Sequence, residues 1–182
     1  MKTIDELDKH IAKYIQGGFG PADMAVMKEE CEKLQPGDVY VEIGVDEGRS
    51  ARVAHEYLHP DVYKLYIDIH DPDTHPASIG TRKWMEQEGM VGLGKKGFYI
   101  HGDADKFAEV LPSLDFDIQL LFIDGHHDYE SVKKNTLKWE RFVDNGDGTI
   151  LFHDYDHPDT KRWLDEHYKD KKEVLHGKIV RV

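Results

Sequence analysis

The sequence predicts an α/β fold with a doubly wound, mostly parallel sheet, and three observations predict it. Short runs rich in β-branched and aromatic residues recur at 39–43, 62–67, 98–100, 118–123 and 149–152. Helical periodicity fills the intervals between them, and this alternation is the mark of right-handed βαβ units. Acidic residues gather at the end of all five runs, on the edge where an open α/β sheet binds its ligands.

Taken in order, Thr3 and Glu6 form a capping box for a first helix, whose apolar face is Ile4, Leu7, Ile11 and Ile15 and whose stop is Gly17-Gly18. Pro21 opens a second helix with Met24, Met27, Cys31 and Leu34 as its stripe, closed by Gln35-Pro36-Gly37-Asp38. After the run at 39–43 come glycines, then a helical pattern through Val53, Ala54, Tyr57 and Leu58. Val132, Trp139 and Phe142 mark the face of a later helix. The stretch 72–97 is longer than an ordinary connection and carries five glycines around a helix near Trp84, which reads as a mobile cover. Glu173-Val174-Leu175 and Ile179-Val180, separated by His176-Gly177, read as a terminal hairpin at one sheet edge. The expected organisation is one domain over 1–182, with N-terminal helices in 1–37 and the α/β core in 38–182.

Composition narrows the function. With 36 acidic against 24 basic residues, the formal charge of −12 opposes nucleic acid and anionic membrane as partners. The first sixteen residues are interrupted by Lys2, Asp5, Glu6, Asp8 and Lys9, so they hold neither a signal-peptide core nor a membrane span, and a cytoplasmic chain is expected. Cys31 is the single cysteine and falls on a helical stripe, which makes it a core thiol and not a nucleophile.

The strand ends carry the chemistry. The first loop reads Glu42-Ile43-Gly44-Val45-Asp46-Glu47-Gly48-Arg49-Ser50. Its two glycines suit a tight strand-to-helix turn, but Asp46 and Glu47 between them would repel a pyrophosphate, so a cationic or zwitterionic cofactor fits better. Asp68, at the end of the next run, is placed to accept hydrogen bonds from the two hydroxyls of an adenosine ribose. Asp124, His127, His153 and Asp154 are oxygen and imidazole ligands from two neighbouring strand ends: a mostly carboxylate set suits magnesium or manganese, more imidazole moves the choice toward iron or zinc, and without a metal the carboxylates bond backbone amides with the histidines as their partners.

The segment Val41-Glu42-Ile43-Gly44 through Gly48-Arg49-Ser50 resembles motif I of class I S-adenosylmethionine-dependent methyltransferases. Phe122-Ile123-Asp124-Gly125-His126-His127-Asp128-Tyr129-Glu130, with Phe152-His153-Asp154, is similar to the D-G-x-H-x-Y and H-D pair of the macrocin O-methyltransferase and cephalosporin hydroxylase-like branch. The resemblance implies a seven-stranded sheet with an antiparallel last strand and S-adenosylmethionine as cofactor. It places Glu42, Gly44, Gly48 and Ser50 at the methionine part, Asp68 on the ribose and Asp103 near the adenine. It places a divalent metal on Asp124 and Asp154, to which the residue reading adds His153. Gly146 and Gly148, adjacent in the family, are here separated by Asp147.

The expected reaction is metal-assisted O-methylation of a small-molecule hydroxyl, with Asp124 in the catalytic set and His127 as the proton acceptor; His126 and His153 are its alternatives. The rival readings are a metal-dependent hydrolase or hydroxylase-like protein on the same fold, and a non-catalytic cofactor-binding module. Whether two copies pair as a homodimer is left open by the sequence.

Overall fold

The computed structural model describes residues 1–182 apart from 14, 16, 77, 112–116, 145–147 and 177. Gly146, Asp147 and the hairpin's Gly177 therefore lie outside the described residues. Helix α1 (Ile4–Ile11) opens as its capping box requires: the Thr3 hydroxyl accepts the Glu6 amide at 3.3 Å and the Glu6 carboxylate accepts the Thr3 amide at 2.9 Å. It ends before the glycines, and Ile15 is buried from the connecting segment instead. Helix α2 (Pro21–Cys31) starts on its proline and buries Met24, Met27 and Cys31.

Strands β1 (Val39–Ile43), β2 (Tyr63–Asp68), β3 (Gly97–His101), β4 (Leu120–Ile123) and β5 (Thr149–Phe152) run parallel, while β6 (Glu173–Val174) and β7 (Val180–Arg181) add the antiparallel hairpin. Their order is β3-β2-β1-β4-β5-β7-β6, seven strands with the winding reversed between β1 and β4. Helices α3 (Arg49–Tyr57), α4 (Thr81–Gln87), α5 (Ala104–Val110), α6 (Tyr129–Trp139) and α7 (Pro158–His167) complete the chain.

Strand side chains alternate between faces, so each strand feeds two cores. Tyr40, Tyr66, Leu120, Phe122 and Leu151 pack beneath α1, α2, α3 and the segment around α4. Val41, Ile43, Ile67, Leu121, Ile123, Ile150 and Phe152 pack with Trp139 of α6 and Trp163 and Leu164 of α7. This is the Rossmann-like methyltransferase architecture that the sequence resemblance implied.

The register aligns Ile43 with Ile67 and Ile123, and Ile123 with Phe152. Gly44, Asp68, Asp124 and His153 consequently emerge along one edge. The stretch 72–97 is not a cover. Met85, Met90 and Val91 are buried in the first core, and the Thr81 hydroxyl donates to the Asp46 carbonyl at 3.0 Å. The segment is a buttress beneath the first loop, because those apolar side chains would be stranded in water if it swung free. Among the described residues no helix is long and apolar enough to cross a membrane.

Candidate active site

A cavity of about 630 Å³ opens at the winding reversal, between the loop after β1 and the ends of β2, β4 and β5. Gly44 sits in its wall with φ 88°, and a Cβ there would lie 2.1 Å from the Asp124 carbonyl oxygen, so a side chain cannot be accommodated. Gly48 stands behind the loop: at φ 83° it caps α3, and a Cβ on it would meet the Trp84 ring at 3.0 Å.

Asp68 lines the cavity and holds the loop in shape. One carboxylate oxygen accepts the amides of Val45 and Asp46, both at 2.7 Å, and the other accepts the His70 amide at 2.7 Å. Asp46 has φ 46°, a left-handed backbone that these bonds and Thr81 sustain. A carboxylate offers about four acceptor positions, so Asp68 keeps room for a further donor. Asp103 caps α5 by accepting the Asp105 amide at 2.9 Å and lines the cavity beside Gly102 and Ala104.

Glu42 lies elsewhere than its position in the loop motif suggested. It is 0 % exposed, on the α1–α3 face of β1, where it accepts from Tyr40 Oη at 2.8 Å and from Ser50 Oγ. Burial, against those two hydrogen bonds, pushes its carboxyl up to about 8. Ser50, and not Glu42, reaches the cavity wall.

At the opposite side, β4 and β5 deliver the charged cluster. His153 Nδ1 lies 3.1 Å from Asp124 Oδ1 and 3.2 Å from Asp154 Oδ2, and its Nε2 faces Asp23 Oδ2 at 3.7 Å. Burial opposes a charge on this ring, but hydrogen bonds with Asp124, Asp154 and Asp23 outweigh it and push the imidazole up to about 11. The hydrogen bond from His153, against burial, holds Asp154 down at about 2, whereas burial raises the Asp124 carboxyl despite the same partner. Asp154 also faces His127 Nε2 at 3.4 Å and Lys178 Nζ at 3.5 Å, from a left-handed backbone at φ 53°.

Among the described residues, Asp124, His127 and Asp154 form the one group able to hold an ion, each offering a ligand atom within 4.8 Å of the others. His153 does not belong to that trio: it bridges the two carboxylates as their ion-pair partner. His126 lines the same cavity from an exposed position.

Three contributors were not foreseen. Asp23, buried on α2, accepts the Gly20 amide at 2.9 Å and the Lys178 amide at 3.0 Å while facing His153. Phe19 packs at 5.8 Å against Phe122 and 5.4 Å from the His153 ring. Arg49 ties the segment between α1 and α2 to the first loop. The available signal was Gly17-Gly18, which reads from sequence only as a helix stop, though both glycines line the cavity.

No curated protein sequence matches the chain. Among solved structures it is similar to an O-methyltransferase from Bacillus cereus in complex with SAH, at TM-score 0.69 and 12% identity, covering 100% of this chain and 90% of that one. It is also similar to CalS11, a TDP-rhamnose 3'-O-methyltransferase of calicheamicin biosynthesis, at TM-score 0.65 and 17% identity, over 98% and 85% of the two chains. A methyltransferase from Geobacter sulfurreducens aligns at TM-score 0.63 and 15% identity over 98% and 85%. At these identities the likeness is one of fold. Residues 41–155 match the sequence model of a family described as methyltransferase domain, a span that includes the first loop, Asp68, Asp103, the Asp124–His127 turn and Asp154, and the chain belongs to that family.

Proposed function

We propose that the protein transfers a methyl group from S-adenosylmethionine to a hydroxyl of a small-molecule acceptor. The observation that carries this reading is the cavity at the winding reversal, which joins a glycine-walled loop and Asp68 to the Asp124–His127–Asp154 cluster in a chain of the methyltransferase-domain family. The wall where a Cβ at Gly44 would collide suits close approach of the methionine end, with Ser50 beside it. The free acceptor capacity of Asp68 suits the ribose, and the α5 start at Asp103 suits the adenine edge. Two of the structural neighbours are O-methyltransferases, in keeping with a hydroxyl acceptor.

His127 is exposed at the mouth of the cavity, 3.4 Å from Asp154, and takes the acceptor's proton on its imidazole. Asp124 and Asp154 fit a magnesium or manganese ion with His127 at their side. When bound, such an ion lowers the pKa of the acceptor hydroxyl. His153 keeps the two carboxylates together by supplying positive charge between them.

Ligand-dependent melting tests the reading. At about a hundred times its dissociation constant a ligand stabilises the fold by roughly 2.7 kcal/mol. S-adenosylmethionine and S-adenosylhomocysteine should both raise the melting temperature more than NAD does, and a preference for NAD would overturn the assignment. Manganese should add a further shift that Asp124→Asn removes; a shift that survives in the variant would show that these carboxylates do not hold the ion.

A further inference from the structure

We infer that Arg49 is a positioning residue, latching the connector between α1 and α2 so that the main-chain amides of Gly17, Gly18 and Phe19 receive the amino-acid carboxylate of the cofactor. This rests on the adenosyl-cofactor reading above.

An arginine in the first loop would ordinarily be taken for the group that pairs with that carboxylate. Three of its five N–H donors are committed to the N-terminal region. Nε donates to the Phe19 carbonyl at 2.6 Å, Nη1 donates to the Ile15 carbonyl at 3.3 Å, and Nη2 pairs with Asp8 of α1. The guanidinium thus holds three points of the N-terminal region against the start of α3, and the Arg49 side chain is 12% exposed.

What this latch presents is a row of main-chain donors. Gly17, Gly18 and Phe19 line the cavity together with Gly44 and Ser50. No acceptor among the described residues takes the amides of these three connector residues, and a ligand in the cavity can take them. A Cβ on Gly18 would meet nothing within 4 Å, so no side chain crowds that position.

Beside imidazoles and Asn135, the rest of the wall holds several carboxylates, which oppose a further carboxylate. Asp46, Glu47, Asp124 and Asp154 repel it, and Lys134, at the far side near α5, is paired with Asp105 at 2.6 Å. Phe19 anchors the connector from below, buried against Phe122, so the three amides are held between a buried ring and the part-buried Arg49 guanidinium. An anion placed on them also gains from the Arg49 charge without displacing its bonds.

Calorimetry with two ligands that share the thioadenosine end separates this role from simple support of the fold. S-adenosylhomocysteine carries the amino-acid end, and 5′-methylthioadenosine lacks it. In the full-length chain, Arg49→Gln should weaken S-adenosylhomocysteine on the order of tenfold or more and leave 5′-methylthioadenosine within about twofold, with Arg49→Lys recovering part of the loss. Gly18→Pro removes one amide without touching the latch and should show the same selective loss. Equal weakening of both ligands in Arg49→Gln and in Gly18→Pro, or unchanged affinity for both, would overturn the inference. Wild-type protein that binds neither ligand would instead overturn the cofactor reading on which it stands.

Discussion

Glu42 and Asp68 are both carboxylates at strand ends, and their surroundings give them opposite characters. Asp68 meets three main-chain amides within 2.7 Å at the cavity wall. Glu42 is enclosed with two hydroxyls as partners, and burial pushes it up to about 8 from an ordinary 4.5. A raised folded-state value for an acid means that the unfolded chain gives up its proton first. Between pH 4.5 and 8 the unfolded state then binds fewer protons than the folded one, so the contribution of protonated Glu42, complete below about 4.5, is lost as pH rises toward 8. Glu42→Gln has no such proton to lose. Urea unfolding at stepped pH should therefore show the variant gaining on the wild type from pH 5 to pH 8, and parallel curves would mean that Glu42 titrates as an ordinary carboxylate. The position of Asp124, His127 and Asp154 at one edge was legible in the sequence, since all three fall in the turns that follow β4 and β5. The withdrawal of Glu42 from the cavity was not, because it depends on which face of β1 lies under α3.

At the scale of elements, the buttress around α4 is where periodicity misleads. Five glycines in 72–97 suggest looseness, yet Met85 and Met90 are 0% and 1% exposed while Leu93, between two glycines, is fully exposed. Met85→Ala should cost about 2–5 kcal/mol by opening a cavity in the first core. Leu93→Ala, at the exposed tip, should stay within about 0.5 kcal/mol. Chemical denaturation of the two variants checks this, and near-neutral results for both would restore the reading as a mobile cover. The two N-terminal helices show the converse case. Their capping box and Pro21 start were plain in the sequence, but α1 ends at Ile11, and Gly17, Gly18 and Phe19 become part of the cavity wall. Local signals set where helices start; where a segment is spent depends on the surface it meets.

For the whole molecule, the C-terminal hairpin joins both layers. Ile179 and Val180 are fully buried, β7 pairs with β5, the Lys178 amide bonds Asp23, and Arg181 pairs with Glu30 of α2 at 2.7 Å. Truncation after Lys172 would expose the edge of β5 and release Asp23, which faces His153. Loss of the cooperative thermal transition by circular dichroism is the expected outcome; an unchanged melting curve would show that the hairpin is an appendage.

The alternating periods of 2 and 3.6 residues, the turn residues between them and the polar strand ends were enough to establish the parallel sheet, its hairpin and the edge that carries the chemistry. Those features are local: each depends on residues a few positions apart. The different surroundings of Glu42 and Asp68, the seat of His153 between two carboxylates, the buttress role of α4 and the reach of Arg49 to Asp8, Ile15 and Phe19 depend on contacts between residues far apart in the chain. No periodicity records such contacts, because they are selected by how the two layers pack and by what burial does to the charges caught between them.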